Sequence, residues 1–123
     1  MARSRAAARD AGTWLETATA TYLAEQLADD RIERRAKNGA KDRGDIGGVR
    51  HMGGRLVIEC KNHTGTPQLP AWTREAQIEA GNDDALCGVV VHKRHGSRDP
   101  GAQWVSMTLA DLVALLTGTP TAR

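Results

Sequence analysis

At 123 residues the chain has room for one domain with a modest core, and a composition of 40% hydrophobic and 26% charged residues is globular rather than disordered. No apolar run approaches the roughly 20 residues that span a bilayer, and no apolar stretch follows the basic N-terminus, so neither a membrane protein nor a secretory leader is expected. The net charge of +2 hides an uneven spread: residues 31–61 hold nine Lys/Arg against four Asp/Glu, while residues 11–30 hold four acids and no Lys or Arg. A basic block of this kind suits a polyanionic partner.

In chain order, residues 1–9 read as a flexible basic arm. A helix is expected from about Thr13 to Leu27, because Leu15, Ala18 and Tyr22, and Ala20, Leu23 and Leu27, recur at helical spacing. Glu16 shares the second of these rows. Residues 31–37 allow a weakly alternating strand, ended by the turn pair Asn38-Gly39. A short strand follows Asp45 over residues 46–50, and Gly53-Gly54 turns the chain into a strand over 55–61. Residues 62–69 read as a polar loop. Pro70 opens a helix to about Ala80, closed by Gly81-Asn82. Residues 86–93 form a buried Val-rich strand, 95–101 a polar loop and 103–107 a last short strand. Thr108, with Asp111 three residues on, caps a final helix that Gly118 ends.

The helix between the strands at 55–61 and 86–93 favours a parallel pair joined by a right-handed crossover. The expected fold class is therefore α/β: one domain with a mixed sheet, an antiparallel meander plus a parallel crossover strand, flanked by helices. Cys60 and Cys87 sit in apolar strand contexts and read as reduced core thiols, consistent with a cytoplasmic protein.

The chemistry concentrates in Arg55-Leu56-Val57-Ile58-Glu59-Cys60-Lys61. Alternation along a strand sends Glu59 and Lys61 to one face and Leu56, Ile58 and Cys60 to the other. An exposed Glu-x-Lys is by itself only a weak surface ion pair. Here an apolar strand precedes it, and Asp45 lies one hairpin upstream, at the start of the neighbouring antiparallel strand. Two acids and a lysine at a strand end suit hydrolysis of a phosphodiester with a hard divalent cation. The cation neutralises charge at the shielded phosphorus and lowers the pKa of a bound water. Asp45, Glu59 and the backbone carbonyl of Cys60 would supply oxygen ligands, and Lys61 would orient the water or hold the phosphate.

Gly44-Asp45-Ile46 followed by Leu56-Val57-Ile58-Glu59-Cys60-Lys61 resembles the PD-(D/E)XK nuclease superfamily. Within it, the pattern over residues 12–93 is most similar to the small archaeal and phage Holliday junction resolvases. Glu16 matches their first-helix glutamate by position and Arg34-Arg35 their basic strand, whereas Gly44 replaces the motif's leading proline. The resemblance implies a restriction-endonuclease-like core and a homodimer cutting DNA with Mg²⁺, or with Mn²⁺ in its place. It implies recombination or repair as the setting, in host cytoplasm if a phage encodes the chain. Glu16 would complete the metal site, directly or through a water. Arg34, Arg35, Lys37, Lys41, Arg43, His63 and Lys93 would contact DNA. The expected substrate is branched DNA read by shape. A restriction- or repair-type nuclease on duplex DNA and a non-cutting DNA-binding relative are the alternatives.

Several residues have plainer readings. Thr13-x-x-Glu16 is also a capping-box pattern. Asp42 rivals Asp45 but reads as a solvated loop residue. Gln77 and Glu75 read as exposed helix positions and Trp72 as core. Cys60-x-x-His63 is too poor a ligand set for zinc.

Overall fold

The computed structural model describes residues 3–36 and 41–120. Three helices flank a six-stranded mixed sheet. Helix α1 spans Arg5–Gln26, β1 Glu33–Arg34, β2 Ile46–Gly47, β3 Arg50–His51 and β4 Gly54–Lys61. Helix α2 spans Leu69–Asn82, β5 Cys87–His92, β6 Trp104–Ser106 and α3 Leu109–Thr117, with a 3-10 turn at Pro100–Ala102 before β6. The sheet order is β1-β2-β4-β5-β6, and β3 pairs with β4 outside that path.

The expected basic arm is largely helix. Ser4 caps α1 by accepting from the Ala7 N–H at 3.1 Å, and Ala6, Ala7 and Ala8 have the highest intrinsic helix propensity. Helix α1 is then fixed to the end of β4: Arg3 donates to the Asn62 carbonyl at 2.7 Å, and Asn62 Nδ2 donates to the Ala11 carbonyl at 2.9 Å. The early start also removes the capping-box reading of Thr13 and Glu16, which lie mid-helix. The expected turn at Asn38-Gly39 lies outside the described residues.

The hairpin before β4 turns on Met52 and Gly53, both at positive φ (51° and 80°), so Gly54 already pairs with His51 as part of the strand. Two successive positive φ angles match the twist that two-residue hairpins need. Helix α2 runs two residues past Ala80, to Asn82, with Asp83 as its C-cap. Asn82 Nδ2 donates to the Asp42 carbonyl at 2.9 Å, tying that helix end to the loop before β2.

β4 and β5 pair in parallel over six residues, Leu56↔Cys87 to Lys61↔His92, as expected of the crossover. β5 is buried throughout. Leu56, Ile58 and Cys60 pack on the α1 side with Leu15, Ala20, Ile46 and Val91. Val57 packs on the opposite side, against Ala80 and Ala85. The alternation read from the sequence therefore sets the two faces of β4, with Glu59 and Lys61 facing α2. Among the described residues no helix is long and apolar enough to cross a membrane.

Candidate metal centre

β1 and β2 are only two residues long, and their shortness makes the site. β2 meets β4 at Ile46↔Ile58, and the Asp45 N–H donates to the Ile58 carbonyl at 2.8 Å. Beyond this point the last residues of β4 border, among the described residues, an open cleft of about 470 Å³. Its walls come from both faces of the sheet. Thr13 and Glu16 enter from α1, Arg34 and Arg35 from β1 and its end, Asp45, Glu59 and Lys61 from the centre, and Glu75 from α2. The four residues expected to form the site, Glu16, Asp45, Glu59 and Lys61, thus share one cleft.

Continuing the β2–β4 register by one step sets Asp45 opposite Glu59. Asp45 is 6% exposed and Glu59 4%. The Cys60 N–H donates to Asp45 Oδ2 at 2.8 Å, which fixes that carboxylate along the strand edge. Gly44 precedes it at φ 94°, a conformation closed to proline, and a Cβ there would press on Val57. The departure from the motif's leading proline is thus built into the backbone that aims Asp45.

Glu59 faces a second carboxylate, that of Glu79 on α2, which is 2% exposed. One oxygen of Asp42, Glu59 and Glu79 each can be chosen so that all three lie within 4.8 Å of one another, a grouping that could bind a metal ion. Glu59 Oε2 and Glu79 Oε2 are both buried without a hydrogen-bond partner. Burial first, then contact with the Asp45 and Glu79 carboxyls and their charge, pushes the Glu59 pKa far up. Burial likewise raises Glu79, to about 7, with the charges of Asp42, Glu75 and Asp45 adding to it and the hydrogen bond from Glu59 opposing it. Both shifts favour the protonated carboxyls of Glu59 and Glu79. Oxygen-only donors with orphaned buried atoms suit a hard divalent cation, whose binding displaces those protons.

Lys61 Nζ lies 2.7 Å from Glu75 Oε2. Burial alone would lower the Lys61 pKa, but the hydrogen bond to Glu75 and the charges of Glu59, Glu75 and Asp45 outweigh it, and the net shift is upward. Lys61 therefore holds its proton more tightly than a free lysine. Glu16 accepts from Arg34 Nε at 3.0 Å. It lines the cleft but is not one of the three acids whose oxygens group within 4.8 Å.

The residues expected to contact DNA separate into groups. Arg34 and Arg35 line the cleft. Lys41 is exposed, and Lys37 lies outside the described residues. Arg43 is 3.8 Å from Asp83 and does not line the cleft. His63 packs edge-on against Trp72, and Lys93 lies 6.0 Å over Trp14. Neither His63 nor Lys93 lines the cleft. Trp72 is core, 8% exposed. Cys60 turns toward Thr19 and away from His63, so the zinc pair does not form.

Two residues passed over in the sequence lie beside Glu59 in this acid cluster. Asp42, read as a solvated loop acid, is half-buried beside Glu59 and Glu79, because its loop is tied to the end of α2. Glu79 carries a signal in the sequence: it falls between the buried positions Ala76 and Ala80 on an amphipathic helix. An acid on an apolar helix face needs a partner. Compared with family models, with curated proteins and with solved structures, the chain matches none.

Proposed function

We propose that the protein is a divalent-metal-dependent endodeoxyribonuclease with a restriction-endonuclease-like core. The observation that carries this reading is the meeting of Glu16, Asp45, Glu59 and Lys61 in one cleft, walled on one side by Arg34 and Arg35. Asp45 and Glu59, with the Cys60 carbonyl on the same strand edge, would hold the ion. When bound, the ion would neutralise charge on the scissile phosphate and make a coordinated water a better nucleophile.

The chain's own groups do the rest. Lys61, kept protonated by its acidic neighbours, donates to a phosphate oxygen. Glu75 holds the ammonium in place until DNA arrives. Glu16 orients Arg34 toward the entrance, and Arg34 and Arg35 take phosphates flanking the cut. Such contacts read shape and charge, which suits branched DNA such as a Holliday junction. The homodimer that the resemblance implies would place two clefts on one junction.

The test is purified protein with Mg²⁺ or Mn²⁺, offered a four-way junction, a fork and a linear duplex side by side. Cutting of the junction ahead of the duplex is expected. Equal cutting of all three would move the protein to a general duplex nuclease, and no cutting of any DNA with either ion would end the nuclease reading.

A further inference from the structure

Helix α2 and its C-cap carry three acids four residues apart, Glu75, Glu79 and Asp83, so they form one row along one face. The ends of the row are matched by cations. Glu75 meets Lys61 at 2.7 Å. Asp83 meets Arg35 at 3.5 Å, Arg43 at 3.8 Å and Arg55 at 3.6 Å. The middle acid, Glu79, is the most deeply buried of the three and meets Glu59 and Asp42, two further carboxylates. The row thus pairs acid with cation at its two ends and brings acid against acid at its centre.

We infer that Asp42, Glu59 and Glu79 bind a hard divalent cation of their own, on the α2 side of β4. This position is separate from the one that Asp45 and the Cys60 carbonyl offer along the strand edge, with Glu59 shared between the two. Three observations converge on it. No pair of the three ligating oxygens is more than 4.8 Å apart, so all can reach one ion at the roughly 2.0–2.6 Å of metal–oxygen bonds with little movement. Glu79 Oε2 and Glu59 Oε2 belong to side chains 2% and 4% exposed, and each lacks a hydrogen-bond partner. The three acids come from three segments, the loop before β2, β4 and α2, so one ion would tie all three together. Mg²⁺, Mn²⁺ and Ca²⁺ all fit oxygen-only donors, and the site's role is to hold α2 against β4 and to keep Glu59 aimed.

The three oxygens within reach of one ion and the two orphaned buried carboxylate atoms carry this site whether or not the protein cuts DNA. Mn²⁺ binding to the full chain, stripped with chelator and kept free of DNA, is read by loss of the free-ion signal in electron paramagnetic resonance. Glu79→Gln keeps the size of the side chain and is expected to weaken one Mn²⁺ binding event by about 100-fold. Asp42→Asn, in a loop outside the helix, is expected to do the same and serves if Glu79→Gln does not fold. Asp45→Asn is expected to keep that event. Wild-type stoichiometry and affinity in both Glu79→Gln and Asp42→Asn would overturn the site, and loss of all Mn²⁺ binding in Asp45→Asn would overturn its separateness. A wild-type protein that binds Mn²⁺ in this pattern but cuts no DNA would end only the nuclease reading.

Discussion

Lys61 and Glu75 bridge β4 and α2 at 2.7 Å, so the cleft's lysine reaches the site already bound to a carboxylate. Among the described residues that line the cleft it is the only lysine, and the pair is only partly exposed. The ammonium must exchange Glu75 for phosphate when DNA enters.

That exchange sets the first expectation. Lys61→Ala and Asp45→Asn should each reduce Mg²⁺-dependent cutting to background, while binding of a four-way junction changes by less than about tenfold. Cleavage gels and mobility shifts on the same preparations check it. Full cutting by either variant would remove that residue from the site.

Glu75→Gln removes a competitor for Lys61 and a negative charge from the cleft. Junction binding should tighten by about two- to fivefold, with cutting at neutral pH within about tenfold of wild type. The double variant Lys61→Ala/Glu75→Gln should keep only the small part of that gain that comes from the lost charge, because most of it passes through Lys61. Additive effects in this cycle would show that the ion pair is only structural.

Glu59 and Glu79 have pKa values raised above those of the unfolded chain, by burial first. A raised carboxyl favours the folded state below its unfolded pKa, near 4.5, and that contribution is lost as pH climbs toward the folded value, about 7 for Glu79. In chelator, Glu79→Gln should therefore match wild type near pH 5 and exceed it near pH 8 by roughly 1–3 kcal/mol. Thermal unfolding across that range checks the sign. A stability difference that does not change with pH would be inconsistent with a buried, proton-sharing pair.

Gly88 on β5 lies under α2, and a Cβ there would run into the Ala76 carbonyl. Backbone cannot yield as a side-chain end does, so Gly88→Ala should destabilise the protein by about 1–3 kcal/mol. Chemical denaturation measures the loss. A neutral result would mean that α2 can move off β5 at little cost.

DNA affinity should fall steeply with salt, since each neutralised phosphate releases counterions. Arg34→Ala and Arg35→Ala should each reduce the slope of log K against log salt by about one. A flat salt response of the wild type would remove DNA as the partner.

Much of this was legible in the chain because strand alternation is a strict rule. Glu59 and Lys61 had to share a face, and the length of residues 62–85 favoured a parallel crossover. Asp45 could be placed because a short hairpin leaves little choice of register. What could not be read depended on tertiary closure. Asp42 becomes part of the centre only because Asn82 of α2 binds its carbonyl. Glu79 meets Glu59 only because α2 packs its Ala76 and Ala80 face against the sheet. The helical start at Arg5 was missed because basic residues there suggested solvation, while Ser4 and the alanines that follow set the structure.

The parallel β4–β5 pair with α2 across it has a further consequence, for the order of events in folding. Glu59, Lys61, Glu75 and Glu79 all belong to this one crossover unit, residues 54–92. Its strands cannot register until the chain between them has closed, so these four groups reach their places in the same step that forms the buried core. A refolding chain should therefore bury these four groups in the same phase as its spectroscopic signal, and cation affinity, which also needs Asp42 and Asp45 from outside the unit, should appear no earlier.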